Sequence, residues 1–318
     1  MKGKYSIKVS NKRMSFELIV ERNITIIRGN SGTGKSTLIN MIKDYNREGK
    51  SSGVEIKCKV PCEVIEGKNW MNELNNIDNS IVFCDEGNSF LNSVDFANCV
   101  KHANNYFVLI TRDNLINLPY SINSILEFES SFTKTKTKNI AVKKYKTDII
   151  NEIHLNNYNN IITEDSSSGF EYFNKLANEY NIKCYSSNGN SNIIKVIGKD
   201  KKNIIVVDGA AFGPFINPLY SYIKRTNETI IYAPESFEWI ILNSGVVNTL
   251  RNNDKIKYPY KYIDSQEYFS WERYFTDLLI NLTKNTVLTY KKEKLNDAYL
   301  IEKNYSKIKK VIFNNYEE

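Results

Sequence analysis

The sequence predicts an α/β protein: a parallel-sheet domain led by antiparallel strands, a second α/β domain and a helical carboxyl-terminal segment. Three observations carry this. Apolar runs such as "ITIIRG", "SIVFC" and "YFVLIT" show no alternation and are separated by helix-patterned stretches, as expected of strands covered on both faces of a sheet. A glycine-rich turn, "GNSGTGKST", lies between the first such strand and a helix. From about residue 151 a second round of strands and helices begins, with "NNIITED" and "KNIIVVDGAAFG" as buried strands. The boundaries read as 1–148, 149–269 and 270–318.

The chain opens with two short strands, "YSIKVS" and "SFELIVE", ahead of "ITIIRG". "STLINMIKDY" then sets Leu38, Ile39, Met41 and Ile42 at helical spacing. "VEIKCKV" reads as a strand, "NWMNELNNI" as a short helix, and "SIVFCDEGN" as a buried strand with acids at its carboxyl end. "SVDFANCVKHAN" puts Val94, Ala97 and Val100 on one helical face, and "YFVLITRDN" is the third buried strand. "SILEFESS" and "NIAVKKYK" close the domain as a hairpin. The lysine run from Lys134 to Lys146 reads as a charge-protected edge, with a nucleic-acid contact as the alternative.

In the second half "GFEYFNKLANEY" is an amphipathic helix, "IKCYSS" a strand, and "SNIIKVIG" a helix or strand. "PFINPLYSYIKRT" reads as helical after its prolines, and "ETIIYAPESFEWIIL" as strand, turn at Pro234 and helix. Beyond Ser270 come two or three helices with Tyr, Trp and Leu on their apolar faces.

With 318 residues, 41% apolar and 25% charged, the composition is that of a soluble globular protein of about two domains. The net charge is +7, and residues 1–150 hold 22 Lys/Arg against 16 Asp/Glu, an excess that permits contact with polyphosphates. Five scattered cysteines fit a reducing cytoplasm better than a disulfide scaffold. "CKVPC" has metal-like spacing, but no second Cys/His pair follows and His102 and His154 are the only histidines; strand and turn cysteines are the better reading. The N-terminus lacks a signal-peptide apolar block, and no run approaches the roughly 18 apolar residues of a membrane span. A cytoplasmic protein without a membrane partner is expected.

Gly29, Gly34, Lys35 and Ser36 fit G-x-x-x-x-G-K-[ST], with Asn30, Ser31, Gly32 and Thr33 inside the loop and Thr37 after it. Such a loop folds its N–H groups around phosphates at a positive helix end. Lys35 would reach the β and γ phosphates of ATP, and the Ser36 hydroxyl would take one Mg²⁺ position. Asp85, at the carboxyl edge of a neighbouring strand, would orient Mg²⁺ through water, and Glu86, with no obvious cation near it in sequence, would polarise the attacking water. Arg112 would sense the γ phosphate; the alternative is a structural arginine pairing Asp113 or a sheet-edge carbonyl.

These residues resemble the P-loop NTPases over about residues 4–147, and the Asp85-Glu86 pair resembles the hydrolysing ABC and AAA-like branches. The leading strands and Thr111-Arg112-Asp113 look most like a reduced ABC-type ATPase. That family commonly carries His where Arg112 stands, and its "LSGGQ"-like signature is missing here. About 48 residues separate Ser36 from Asp85, too few for its helical subdomain.

Glu164 follows "NIIT", Asp208 follows "NIIVV" and Glu238 lies in "PESFEWIIL". A parallel sheet would bring the first two to one edge, where carboxylates tolerate one another by sharing Mg²⁺ or a proton. Their order over residues 159–245 resembles a TOPRIM domain, the metal-binding module of topoisomerases, primases and the overcoming-lysogenization-defect nucleases, with Ala210 standing where a further Asp belongs. The plainer reading is that Glu164 and Asp208 cap helices or turns. "DGAAFGPF" admits a packing turn, a pseudo-active site or a docking surface.

The resemblances together imply an ATP-hydrolysing, oligomeric protein whose nucleotide state is coupled to a TOPRIM-like domain acting on or sensing nucleic acid, a combination frequent in bacterial antiphage and mobile-element systems. The alternative is an ATP-dependent scaffold whose carboxyl half binds a protein partner or effector. A small-molecule kinase is a third reading, without an Arg-rich lid to support it.

Overall fold

Nine strands among the described residues form one sheet and five form another. The computed structural model describes residues 1–29, 32–132, 138–144, 149–150, 155–197, 202–224, 229–248 and 253–313. The chain divides into one unit of Met1–Lys146 with Tyr258–Ser270 and a second of Thr147–Lys257 with Trp271–Glu318.

The first unit contains β1 (Tyr5–Ser10), β2 (Met14–Val20), β3 (Ile24–Arg28), α1 (Lys35–Glu48), β4 (Glu55–Lys57), β5 (Cys62–Val64), α2 (Trp70–Asn75), β6 (Ile81–Cys84), α3 (Val94–His102), β7 (Tyr106–Ile110), β8 (Ile125–Phe132) and β9 (Lys138–Lys144). The strand order is β4-β1-β2-β9-β8-β3-β7-β6-β5. From β8 to β5 the pairing is parallel throughout, whereas β1–β2, β1–β4 and β8–β9 are antiparallel. β3, β6 and β7 bury every residue because helices cover both faces. On one face Ile27, Phe83, Val108 and Ile110 join Leu38, Ile39, Met41 and Ile42 of α1 in a single core. On the other, Phe107 meets Phe96 of α3 edge-on at 6.0 Å, and Phe96 continues to Trp70 and Phe90.

Two local expectations change here. Val94 is 61% exposed, and Phe96 takes its place beside Ala97 and Val100 on the buried face of α3. The strand expected through Val60 stops at Lys57; the chain bends at Lys59 and Val60 and enters β5, for which the sequence offered no signal.

Residues 258–270 belong with the first unit, although a consecutive reading of the chain assigns them to the second domain. Gly3 N–H donates to the Tyr260 carbonyl at 2.8 Å, Ser265 N–H to the Met1 carbonyl at 2.9 Å, and Asn23 Nδ2 to the Tyr268 carbonyl at 2.7 Å.

The second unit contains β10 (Ile149–Ile150), β11 (Asn160–Thr163), α4 (Ser168–Glu179), β12 (Lys183–Ser186), α5 (Ile193–Val196), β13 (Asn203–Val206), α6 (Gly213–Ile223), β14 (Thr229–Tyr232), α7 (Phe237–Asn243), α8 (Asn253–Lys257), α9 (Trp271–Thr283) and α10 (Glu302–Ile312). Its sheet is wholly parallel in the order β10-β14-β13-β11-β12. The chain leaves β11 for β12 on one side and then returns to β13 on the other. The strand order therefore reverses between β11 and β13, where a crevice opens at the carboxyl ends. On α4, the Tyr172 ring packs at a tilt against Phe237 of α7 and Tyr305 of α10, at centroid distances of 5.4 and 5.1 Å.

Helix α6 begins before its prolines rather than after them. Pro214 in the first turn costs little, since N–H groups there have no helical partner; Pro218 removes an internal bond, and the burial of Ile216, Leu219 and Ile223 offsets the loss. None of the described helices is long and apolar enough to cross a membrane.

The "DGAAFG" stretch is a packing turn. A Cβ on Gly209 would stand 2.6 Å from the Ala233 carbonyl oxygen and 2.8 Å from that of Pro234, so the loops after β13 and β14 approach only because residue 209 has no side chain. Gly209→Ala should lower stability by ~1–3 kcal/mol in urea unfolding, the usual cost of overpacking. Gly87→Ala, where a Cβ meets nothing within 4 Å, should stay within about 0.5 kcal/mol. Equal midpoints for the two variants would refute the close approach.

Candidate functional site

The nucleotide-type loop leaves β3 through Gly29 (φ 137°), Gly32 (φ 81°) and Gly34 (φ 98°), three left-handed conformations that L side chains disfavour. At Gly34 space is short as well, since a Cβ would lie 3.0 Å from Ile140 Cδ1 and 3.3 Å from Phe16 Cε1. Lys35 opens α1 and is 6% exposed; its Nζ donates to the Gly29 carbonyl at 2.8 Å and to Thr33 Oγ1 at 3.4 Å, which holds the ammonium within the loop. Ser36 is exposed on the first turn and Thr37 half-buried. Asn30 and Ser31 lie outside the described residues, as does much of the lysine run, including Lys134 and Lys146.

Asp85 follows β6, half-buried, and its Oδ1 accepts the Glu86 N–H at 2.8 Å. β6 does not adjoin β3, as the sequence reading had it: β7 lies between them, and Thr111 N–H donates to the Ile27 carbonyl at 3.2 Å. The parallel strands β3, β7 and β6 thus deliver the glycine loop, Arg112 and the Asp85-Glu86 pair to one sheet edge.

Arg112 Nε stands 3.5 Å from Glu86 Oε2, so Glu86 has a cationic neighbour that is hidden in the sequence by strand order. Asp113 accepts from Asn92 Nδ2 at 2.9 Å and takes no part in that pair. Both members of the pair are more than a third exposed, where an ion pair contributes under ~1 kcal/mol and either partner is easily drawn to another charge.

One polar residue of this edge escaped the sequence reading. Arg28, 4% exposed at the end of β3, donates through Nη2 to Asn114 Oδ1 at 3.2 Å and to the Tyr120 hydroxyl at 3.1 Å, tying the segment after β7 to the base of the loop. Burial pushes the Tyr120 hydroxyl up to about 12. A charged residue inside an apolar strand, directly before the glycines, was the available signal.

In the second unit, pairing of Thr163 with Val206 sets Glu164 beside Asp208, and the Asp208 N–H donates to Glu164 Oε2 at 3.4 Å. Asp208 Oδ1 accepts the Phe237 N–H at 3.2 Å at the start of α7, so both carboxylates also hold loop amides. Glu238 is 2% exposed; its Oε1 accepts from the Tyr290 hydroxyl at 2.8 Å, which lies 2.6 Å from Ser168 Oγ, while its Oε2 has no hydrogen-bond partner. Glu164, Asp208 and Glu238 line one cavity of about 30 Å³, together with Asp165, Ser168 and Lys292. That is room for about one water.

Lys292 pairs with Glu272 of α9. Tyr290, Lys292 and Glu272 all come from the tail that the sequence read only as apolar helices, and "YKKEK" between the helices was the one polar hint. Burial pushes Glu164 up to about 7, and the charge of Glu272 adds to it. Burial likewise lifts Asp208 well above the usual carboxylate range, reinforced by Glu272, Glu164 and Glu238 and opposed by Lys292. Burial alone would lower Lys292, but Glu272, Asp208 and Glu238 override it and hold the ammonium charged.

Tested for metals, the two sites differ. Ser36 and Asp85 are hard oxygen donors of the kind that share Mg²⁺ with phosphates and water. The Glu164, Asp208 and Glu238 carboxylates suit a hard cation by donor type, and the orphaned Oε2 of Glu238 is what such a cation would satisfy. As they stand, no group of three or more His, Cys, Asp or Glu side chains among the described residues is placed to hold a metal ion. No family model matches the chain, and no curated protein matches it.

Glu164 gives the pocket a pH signature. The folded chain keeps its proton to about pH 7, whereas the unfolded chain releases it near 4.5, so the folded state binds more protons between these values. Stability therefore falls as pH rises from about 4.5 to 7, and the loss is complete above that window. Glu164→Gln cannot ionise and should be more stable than the parent at pH 8 by ~2–3 kcal/mol, with the difference vanishing near pH 4. Parallel urea-midpoint profiles for the two proteins would show that Glu164 titrates normally.

Proposed function

We propose that the chain binds Mg²⁺-ATP in its first unit, hydrolyses it, and couples nucleotide state to a TOPRIM-like second unit that acts on or senses nucleic acid. The observation that carries the reading is the loop of three left-handed glycines with the buried Lys35 ammonium folded inside it, between β3 and α1. Asp85 and Arg112 at the same sheet edge support it.

On ATP binding Lys35 moves from the Gly29 carbonyl to the β and γ phosphates. Ser36 and Asp85 would hold Mg²⁺, which supplies charge neutralisation to the phosphates. Glu86 orients the attacking water, and Arg112 exchanges Glu86 for the γ phosphate, where negative charge grows during transfer. In the second unit Glu164, Asp208 and Glu238 would have to draw together to hold a hard cation, which would supply the means to activate water against a phosphodiester.

Ala210 and Lys292 favour a second reading. An alanine occupies the place of a TOPRIM acid, and an ammonium already lines the carboxylate cavity. On this reading the second unit keeps the fold, has no nuclease chemistry and binds a protein partner.

In the intact chain Lys35→Ala should weaken Mg²⁺-dependent ATP binding by 10-fold or more, on the order expected for a lost charge-assisted contact. Glu86→Gln should still bind ATP and slow phosphate release by about 10²-fold. Absence of magnesium-dependent ATP uptake by the parent would remove the nucleotide reading. Thermal shifts with Mn²⁺ separate the two versions of the second unit: stabilisation that Glu164→Ala abolishes supports a metal site, and no shift in the parent supports the scaffold.

A further inference from the structure

Strands β2 and β9 run parallel and separate partway along their length. Met14–Glu17 pair with Lys138–Ala141, but β2 continues to Val20 and β9 to Lys144 with no further pairing between them. Each strand keeps its other neighbour over that stretch: Leu18, Ile19 and Val20 pair with Ile7, Ser6 and Tyr5 of β1, and Val142 and Lys144 with Phe128 and Leu126 of β8. The sheet therefore holds a gap between two of its own strands. A cavity of about 430 Å³ lies there, with Leu18, Ile19, Leu126, Ala141, Val142 and Lys144 on its walls. Thr25, near the start of β3, also lines it, whereas the glycine loop leaves the opposite end of that strand.

The Lys138 N–H donates to the Arg13 carbonyl at 2.9 Å, which fixes the alternation of the main chain. Odd-numbered residues of β2 and even-numbered residues of β9 turn their N–H and C=O groups toward each other. Past the last pair, Glu17 with Ala141, the groups turned into the gap from β2 are the Ile19 N–H and C=O. Facing them from β9 are the Val142 C=O and the Lys144 N–H and C=O. None of these groups has a main-chain partner among the described residues.

We propose that the gap between β2 and β9 is a docking site for an extended segment of a partner protein, an acidic residue among apolar ones, which adds as a strand between the two walls.

Unpaired main-chain groups on both walls require an occupant with donors and acceptors along both of its edges, at strand spacing. An extended peptide has that pattern, whereas a strand inside a folded sheet has at least one edge already paired. Leu18–Val20 offers it about 10 Å of wall at strand rise. Ile19, 52% exposed, and the half-buried Val142 supply apolar contacts beside Leu126. Charge selects the acid. The two carboxylates of the cavity, Glu17 and Glu21, pair with Lys8 at 2.6 Å and Lys4 at 3.3 Å. Lys144, from the lysine run, is exposed and has no ion pair among the described residues, so it is the cation left to meet a carboxylate. The proposal is independent of the nucleotide reading, since it uses neither ATP nor the loop.

The test uses the full-length chain. Hydrogen exchange read at single amides by mass spectrometry should show the Ile19 N–H exchanging about 10-fold faster than those of Leu18 and Val20, which donate to β1. A phage-displayed library of random peptides about ten residues long, the upper end of strand length, is then selected on the chain. Enriched peptides should alternate apolar residues around an Asp or Glu. The synthetic form of the enriched sequence should slow exchange at Ile19 and Lys144, and should lose its binding when alternate amides are N-methylated. Lys144→Glu should weaken binding of that peptide by about 5-fold or more. Slow exchange at Ile19 in the free chain, no enriched acidic peptide, or protection that leaves Ile19 and Lys144 untouched overturns the proposal. So does protection that grows with protein concentration in the absence of peptide, which assigns the gap to a second copy of the chain. The exchange readings come from the parent protein, so a variant that fails to fold leaves them intact.

Discussion

Parallel strand pairing decides where charge collects in this protein. Strands that run the same way end at the same edge, and strands covered on both faces have no surface left for polar side chains. Polar function is therefore pushed into the loops at the carboxyl ends. In the first unit Ile27 pairs with Ile110 and Cys84 with Leu109, so the glycine loop, Arg112 and Asp85 emerge at one edge. In the second, Thr163 pairs with Val206, and the acids that follow have no choice but to meet.

The two clusters built this way hold similar charges in different surroundings. Arg112 and Glu86 are each more than a third exposed, and water screens what they gain from one another. Such a pair can be rearranged at small cost when a stronger anion arrives. Glu164, Asp208 and Glu238 sit around a cavity the size of a water, where repulsion is screened far less. There burial pushes Glu164 up to about 7 and lifts Asp208 well above the usual carboxylate range, and the Lys292 ammonium is drawn in against them. One cluster is screened by water and the other is enclosed.

What could be read from the residues divides along the line between local and non-local causes. β3, β6 and β7 were legible because uninterrupted apolar runs have few other fates, and the loop because its glycine spacing serves a backbone need. The meeting of Glu164 and Asp208 followed from parallel pairing alone. β5 was not legible, since three residues with only Cys62 buried leave no periodic signal. Pro218 inside α6 misled for a physical reason: burial of Ile216, Leu219 and Ile223 outweighs a local cost that the sequence shows in isolation. Residues 258–270 join the first unit through main-chain bonds and through the Asn23, Asp264 and Ser265 side chains, partners so far apart in sequence that no local pattern encodes them. The Arg112–Glu86 pair depends on β7 lying beside β6, and Tyr290 reaches Glu238 across 52 positions of chain.

Ala210 takes on a physical meaning in this light. It is 2% exposed, and its N–H donates to the Glu235 carbonyl at 3.1 Å, so the position is enclosed beside Asp208. An acid there would add a further negative charge to a pocket that already raises Asp208 through burial and three carboxylates and has one lysine to oppose them. With alanine at 210, Lys292 faces one acid fewer. The same balance means that protons, Lys292 and any metal compete for the same oxygens. How strongly a cation could outcompete a proton on Glu164 is set by burial and by Glu272 rather than by the motif.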